Sequence, residues 1–136
     1  MADTKYGKHI LAEPLEAGRF DLEKVKATPE LMQADCRIIY TTNTQPVFME
    51  QKPMVHDFTQ FLCFIGGDPL NVRDFGAEIE FYLGEEEEKH IINHTSVIHI
   101  PPGLVHCPLN FKRIDKPIIF IDIVLTSKYE KKFLDK

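Results

Sequence analysis

Two short stretches of this 136-residue sequence carry side chains whose types and spacing could do chemistry. The first is MVHDFTQFLCFIGG, residues 54 to 67, in which Met54, His56 and Gln60 are separated by even numbers. The second is IPPGLVHCPLNF, residues 100 to 111, in which a Pro-Pro-Gly turn leads into His106 and then Asn110. Imidazole nitrogen, amide oxygen and thioether sulfur can all ligate a metal ion. On one extended strand, even spacing sends Met54, His56 and Gln60 to a single face and Val55 to the other. Proline sets φ and glycine admits positive φ, so the turn fixes the direction from which His106 enters. By the same alternation Cys107 is expected to face away from His106, as a buried structural thiol. Four donors meeting in one cavity would suit a single metal ion.

Strands are what could hold such a cavity together. AEIEFYLG alternates strictly, with Ala77, Ile79, Phe81 and Leu83 on one side and Glu78, Glu80 and Tyr82 on the other. CRIIYTT, VFMEQ, HII, VIHI and HCPLNFKRI are short β-rich runs separated by turn formers. KPIIFIDIVL is apolar at nearly every position, as expected of a strand covered on both faces. Roughly eight to ten short strands without a long helix predict an all-β fold, a single antiparallel β-barrel or jelly-roll. Residues 1–35, broken by Pro14, Gly18 and Pro29, are expected to form an irregular N-terminal extension packing on the barrel or on a partner subunit. Residues 36–136 would be the barrel, with a final helical turn in SKYEKKFLDK.

Composition narrows the partners. A formal net charge of -5 and the lack of a basic stripe argue against nucleic acid. No run of eighteen apolar residues predicts a membrane span. Cys36, Cys63 and Cys107 are odd in number and widely spaced, which suits reduced thiols, and the first residues lack the apolar core of a secretion signal. The expected location is cytoplasmic. An outward face of KPIIFIDIVL would expose Ile118, Phe120 or their neighbours, so a homodimer is expected.

The proline turn resembles the second sequence motif of the cupins, P-x-G-x-x-H-x-x-x-N, at Pro101, Gly103, His106 and Asn110. The first cupin motif is met in part: His56 falls on its second histidine, Gln60 on its glutamate and Gly67 on its glycine, while Met54 replaces its first histidine. The resemblance covers about residues 36 to 126. It implies a cupin-like barrel binding one divalent transition metal (Fe, Zn, Mn, Ni or Cu) through His56, Gln60, His106 and Met54. Phe58, Leu62, Phe64, His99 and Asn110 would line the pocket. The implied activity is dioxygenase-, isomerase- or lyase-like chemistry on a small organic molecule. The alternative is a non-catalytic cupin binding a small apolar or aromatic ligand, with a degenerate or absent metal site. An amide is a weaker ligand than a carboxylate, a thioether favours soft ions, and with the motif's glutamate replaced no general base stands out.

Overall fold

Alternating burial shapes the strands of the computed structural model, which describes residues 4–11, 18–25, 33–126 and 132–134. In chain order these are β1 (Arg19–Asp21), β2 (Arg37–Asn43), β3 (Val47–Glu50), β4 (Met54–Val55), β5 (Gln60–Gly66) and β6 (Ala77–Leu83). They continue with β7 (Glu88–Ile92), β8 (Ser96–Ile100), β9 (His106–Ile114), β10 (Ile118–Val124) and β11 (Lys132–Phe133). Two short 3-10 turns, Gly7–His9 and Leu22–Val25, complete the elements, with no α-helix among the described residues. No helix there is long and apolar enough to cross a membrane.

The strands form two antiparallel sheets, one ordered β1-β2-β10-β5-β8 and the other β11-β4-β9-β6-β7, with β3 also pairing β9. This is the jelly-roll expected from the sequence, although among the described residues its sheets do not close into a continuous barrel. β1 comes from the segment read as an extension and pairs with β2. The tail differs from expectation: Lys132 and Phe133 pair with Val55 and Met54 as a strand, while the rest of that segment lies largely outside the described residues.

Between the sheets, the even residues of β5 and β10 meet the odd residues of β6 and Leu109 and Phe111 of β9. Phe64 lies 5.1 Å from Phe120 and 6.0 Å from Phe111, ring centre to ring centre, and Phe111 meets Phe120 edge-on at 5.6 Å. Such offset and edge-to-face contacts are the arrangements aromatic quadrupoles favour. The aromatic cluster gives the sandwich a rigid centre. Gln60 opens β5, His106 opens β9 and Asp122 stands near the end of β10, which runs antiparallel to β5, so these polar residues gather at one end of it.

The outer faces differ. That of the six-stranded sheet is laced with charge: Glu80 accepts from Lys89 at 2.8 Å and from Asn110 at 3.1 Å, and Glu78 faces Lys112 and Arg113, each at 3.6 Å. Lys89 and Asn110 together hold the Glu80 carboxyl below its ordinary range. The other sheet turns Ile119, Ile121 and Ile123 outward beside Phe61, Cys63 and Val97. Ile118 and Phe120, named as candidates for exposure, are instead buried core residues, because the parity of β10 sends its even positions inward.

Candidate functional site

Met54, His56, Gln60 and His106 are all buried. They do not share one strand. Met54 ends up in the six-stranded sheet opposite His106, the chain turns between residues 56 and 59, and Gln60 begins β5 in the other sheet. Donors from two sheets therefore face each other across the interior. The Gly103 N–H donates to the His56 carbonyl at 2.8 Å, tying the proline turn to the segment that carries the first histidine. Gly103 has φ 84, a conformation glycine adopts without penalty. At Gly67 a Cβ would strike the Pro117 carbonyl, which accounts for the glycine of the first motif.

The two imidazoles lie 4.8 Å apart, tilted by 57°, and His56 stacks on Phe58 at 4.5 Å. His106 Nδ1 lies 3.0 Å from the Leu104 carbonyl. A carbonyl can only accept, so Nδ1 carries the proton and Nε2 of the neutral ring keeps its lone pair. Burial lowers the pKa of His106 to about 4, against the Leu104 hydrogen bond that favours its proton and with a smaller push from His56. The ring is thus neutral, and its tautomer is fixed in the way metal-binding histidines require.

Next to His106 is a chamber of about 40 Å³ lined by Met54, Gln60, Leu62, Glu50 and Asp122 among others. Space of that order holds an ion or a water molecule rather than an organic substrate. It adjoins a cleft of about 310 Å³ between β2 and β3, and the two share Met49, Glu50, Phe120 and Asp122. Arg19 and Arg37 lie on the far wall of the cleft, with Arg37 3.5 Å from Asp21.

Sequence parity misplaces three residues. Asn110 is on the outer face, bonded to Glu80, and Cys107 is buried and lines the chamber. The reason is a β-bulge: Phe81 pairs with Leu109 and Leu83 with His106, so β9 carries one extra residue there, with Cys107 at φ 79. From this bulge to a second one, where Glu78 pairs with Arg113 and Ile79 with Phe111, odd positions point inward. His99 is exposed and stacks on Phe61 at 5.1 Å, because Ile98 and Ile100 take the inner positions of β8. Leu62 does line the chamber, Phe58 flanks it through His56, and Phe64 belongs to the aromatic core.

Two polar residues of the site, Glu50 and Asp122, escaped sequence reasoning. Asp122 accepts a hydrogen bond from Gln60 Nε2 at 2.7 Å. Its signal was present, since Ile118, Phe120, Asp122 and Val124 share parity in β10, but an aspartate inside an apolar run was read as part of that run.

Comparison with solved structures meets the same architecture. A conserved protein with a double-stranded β-helix domain from Klebsiella pneumoniae superimposes with TM-score 0.50 at 17% identity, over 76% of this chain and 78% of that one. Oxalate decarboxylase from Bacillus subtilis, a protein with Mn(II) centres, superimposes with TM-score 0.50 at 10% identity over 88% of this chain, which spans only 29% of the enzyme. The chain has the cupin fold. A cupin-like protein from Thermotoga maritima is also similar, at 15% identity and TM-score 0.49, over 85% of this chain and 74% of that one. No family model matches the sequence. No curated protein matches it either.

Whether the residues of this cupin-fold chain suit a metal is decided by its orphaned donors. Nε2 of His106 and Oε1 of Gln60 are shielded from solvent and meet no hydrogen-bond partner among the described residues, and Nε2 of His56 is equally shielded. Buried lone pairs without a donor are costly unless a cation or a bound donor meets them. Two imidazoles and an amide oxygen are an acceptable, if carboxylate-poor, set for a borderline divalent ion.

Proposed function

We propose that this cupin holds one divalent transition ion through His56, His106 and Gln60 and acts on a small organic molecule admitted by the adjoining cleft. The observation that carries this reading is the pair of buried, unsatisfied acceptors, His106 Nε2 and Gln60 Oε1, beside a chamber of ion size. When bound, the ion would supply Lewis acidity. The protein's own groups do the rest. Leu104 holds the His106 tautomer, while Leu62, Met54 and Phe120 keep bulk water from the chamber. Glu50 and Asp122, at the boundary of chamber and cleft, are the carboxylates able to exchange a proton with a molecule entering there.

Metal analysis of purified protein, followed by titration of Zn or Mn into wild type and His106→Ala, tests the proposal. Stoichiometric binding lost in the variant supports it; equal binding by both refutes it. A second reading, a cupin that binds a small apolar ligand without metal, draws on one observation. Among the described residues no group of three His, Cys, Asp or Glu side chains is placed to hold an ion. A reconstituted wild type that takes up no metal would favour that reading. We also propose a homodimer built on the outer, isoleucine-rich face of the five-stranded sheet, because the opposite outer face is covered with paired charges.

A further inference from the structure

We propose that Asp122 supplies the carboxylate of this metal site from the neighbouring strand, by orienting the Gln60 amide and by carrying the negative charge. The inference rests on the metal-binding reading above. Asp122 and Gln60 are diagonal neighbours on the inner face of one sheet: Asp122 pairs with Leu62 of β5, and Gln60 pairs with Val124 of β10. An ionised carboxylate only accepts, so the 2.7 Å contact from Gln60 Nε2 to Asp122 Oδ1 turns the NH₂ of the amide toward Asp122. The amide oxygen is thereby left for another partner, and it is Oε1 that is buried and unsatisfied. Without Asp122 the amide could rotate and present N–H groups to an ion, which would repel it.

Asp122, like Glu50, lines both the chamber and the cleft, so both charges act on any cation between them, and of the two it is Asp122 that accepts from Gln60. His56, His106, Gln60 and Met54 bring no charge of their own. A divalent ion held by neutral groups alone would leave its charge uncompensated in a buried site. The aspartate on β10 meets that need at a position two residues from the one paired with Gln60. Asp122 is therefore a positioning residue that acts through Gln60 and through its field.

The test is an exchange of charge between two strands, read by calorimetric titration of Zn into full-length, metal-stripped protein. Asp122→Asn should weaken binding about 10- to 100-fold, the usual effect of removing a group that orients a ligand. The double variant Gln60→Glu/Asp122→Asn returns the carboxylate to β5 with an amide as its partner, and affinity should recover to the wild-type value or above. Cobalt(II) absorption spectra report the coordination sphere independently of affinity, and they should change in Asp122→Asn and revert toward the wild-type spectrum in the double variant. Wild-type affinity in Asp122→Asn, or no recovery in the double variant, overturns the inference. If Asp122→Asn does not fold, the double variant alone decides, with affinity at least equal to wild type as support and weaker binding as refutation. His106→Ala separates the two levels. Undiminished binding there removes the metal reading itself, whereas binding lost there but unchanged in Asp122→Asn removes only the role of Asp122.

Discussion

Gln60→Glu restores the residue found in the cupin motif, yet in this chain it should destabilise the metal-free protein. The side-chain nitrogen it replaces lies 2.7 Å from Asp122 Oδ1. Two carboxylate charges at that separation repel by about 6 kcal/mol at an effective dielectric constant of about 20. The pair can escape by sharing a proton, as facing carboxyls do. Holding a proton at pH 7 on a group that ordinarily loses it near pH 4.3 costs about 4 kcal/mol, the cheaper route. The hydrogen bond so formed replaces the one the amide makes in wild type, so the net loss stays at about 4 kcal/mol. The introduced carboxyl has its pKa raised in the folded state, so folded protein binds more protons than unfolded protein. Relative to wild type, the penalty is therefore absent below about pH 4.3 and grows by about 1.4 kcal/mol per pH unit above it, until the folded pKa is reached. Urea unfolding of both proteins in chelator, at several values between pH 5 and 7, measures this difference. A loss under about 1 kcal/mol that does not vary with pH would refute the Gln60–Asp122 geometry. Adding Asp122→Asn should remove both the penalty and its pH dependence.

His106, with its pKa lowered to about 4, binds a proton less readily in the folded than in the unfolded state. Its neutral form thus stabilises the fold above about pH 6.5, and about 3 kcal/mol should be lost as the pH falls from there through 4; urea unfolding should show a slope that disappears in His106→Gln. Because His99 and Asn110 lie on outer faces, His99→Ala and Asn110→Ala should leave Zn affinity unchanged in calorimetric titration; a large loss in Asn110→Ala would contradict the bulge in β9, and one in His99→Ala the inner placement of Ile98 and Ile100 in β8. Sedimentation should find a dimer that Ile121→Glu converts to monomer, whereas wild type running as a single 15.7 kDa species would remove the proposed interface.

Alternation in AEIEFYLG and in the β5 sequence was enough to place Ile79, Phe81, Leu62 and Phe64 inside, because a strand's period of two leaves its apolar set only one face to bury. The motif around Pro101 and Gly103 made His106 legible as well, since proline and glycine restrict the backbone through local sterics that need no tertiary contact. Local pattern failed where pairing between distant strands intervened. The extra residue in β9 is defined only by its register against β6, and it carries Asn110 outward and Cys107 inward. The turn at residues 56–59 assigns Met54 and Gln60 to different sheets, which even spacing alone cannot reveal. Nor could spacing show that Asp122, 62 positions along the chain, would meet Gln60. That contact exists because antiparallel pairing of β5 with β10 sets their inner faces side by side. Residue types and short-range periodicity determined which groups could do chemistry and which faces would be buried; strand register, a property of chain segments far apart in sequence, decided which of those groups meet.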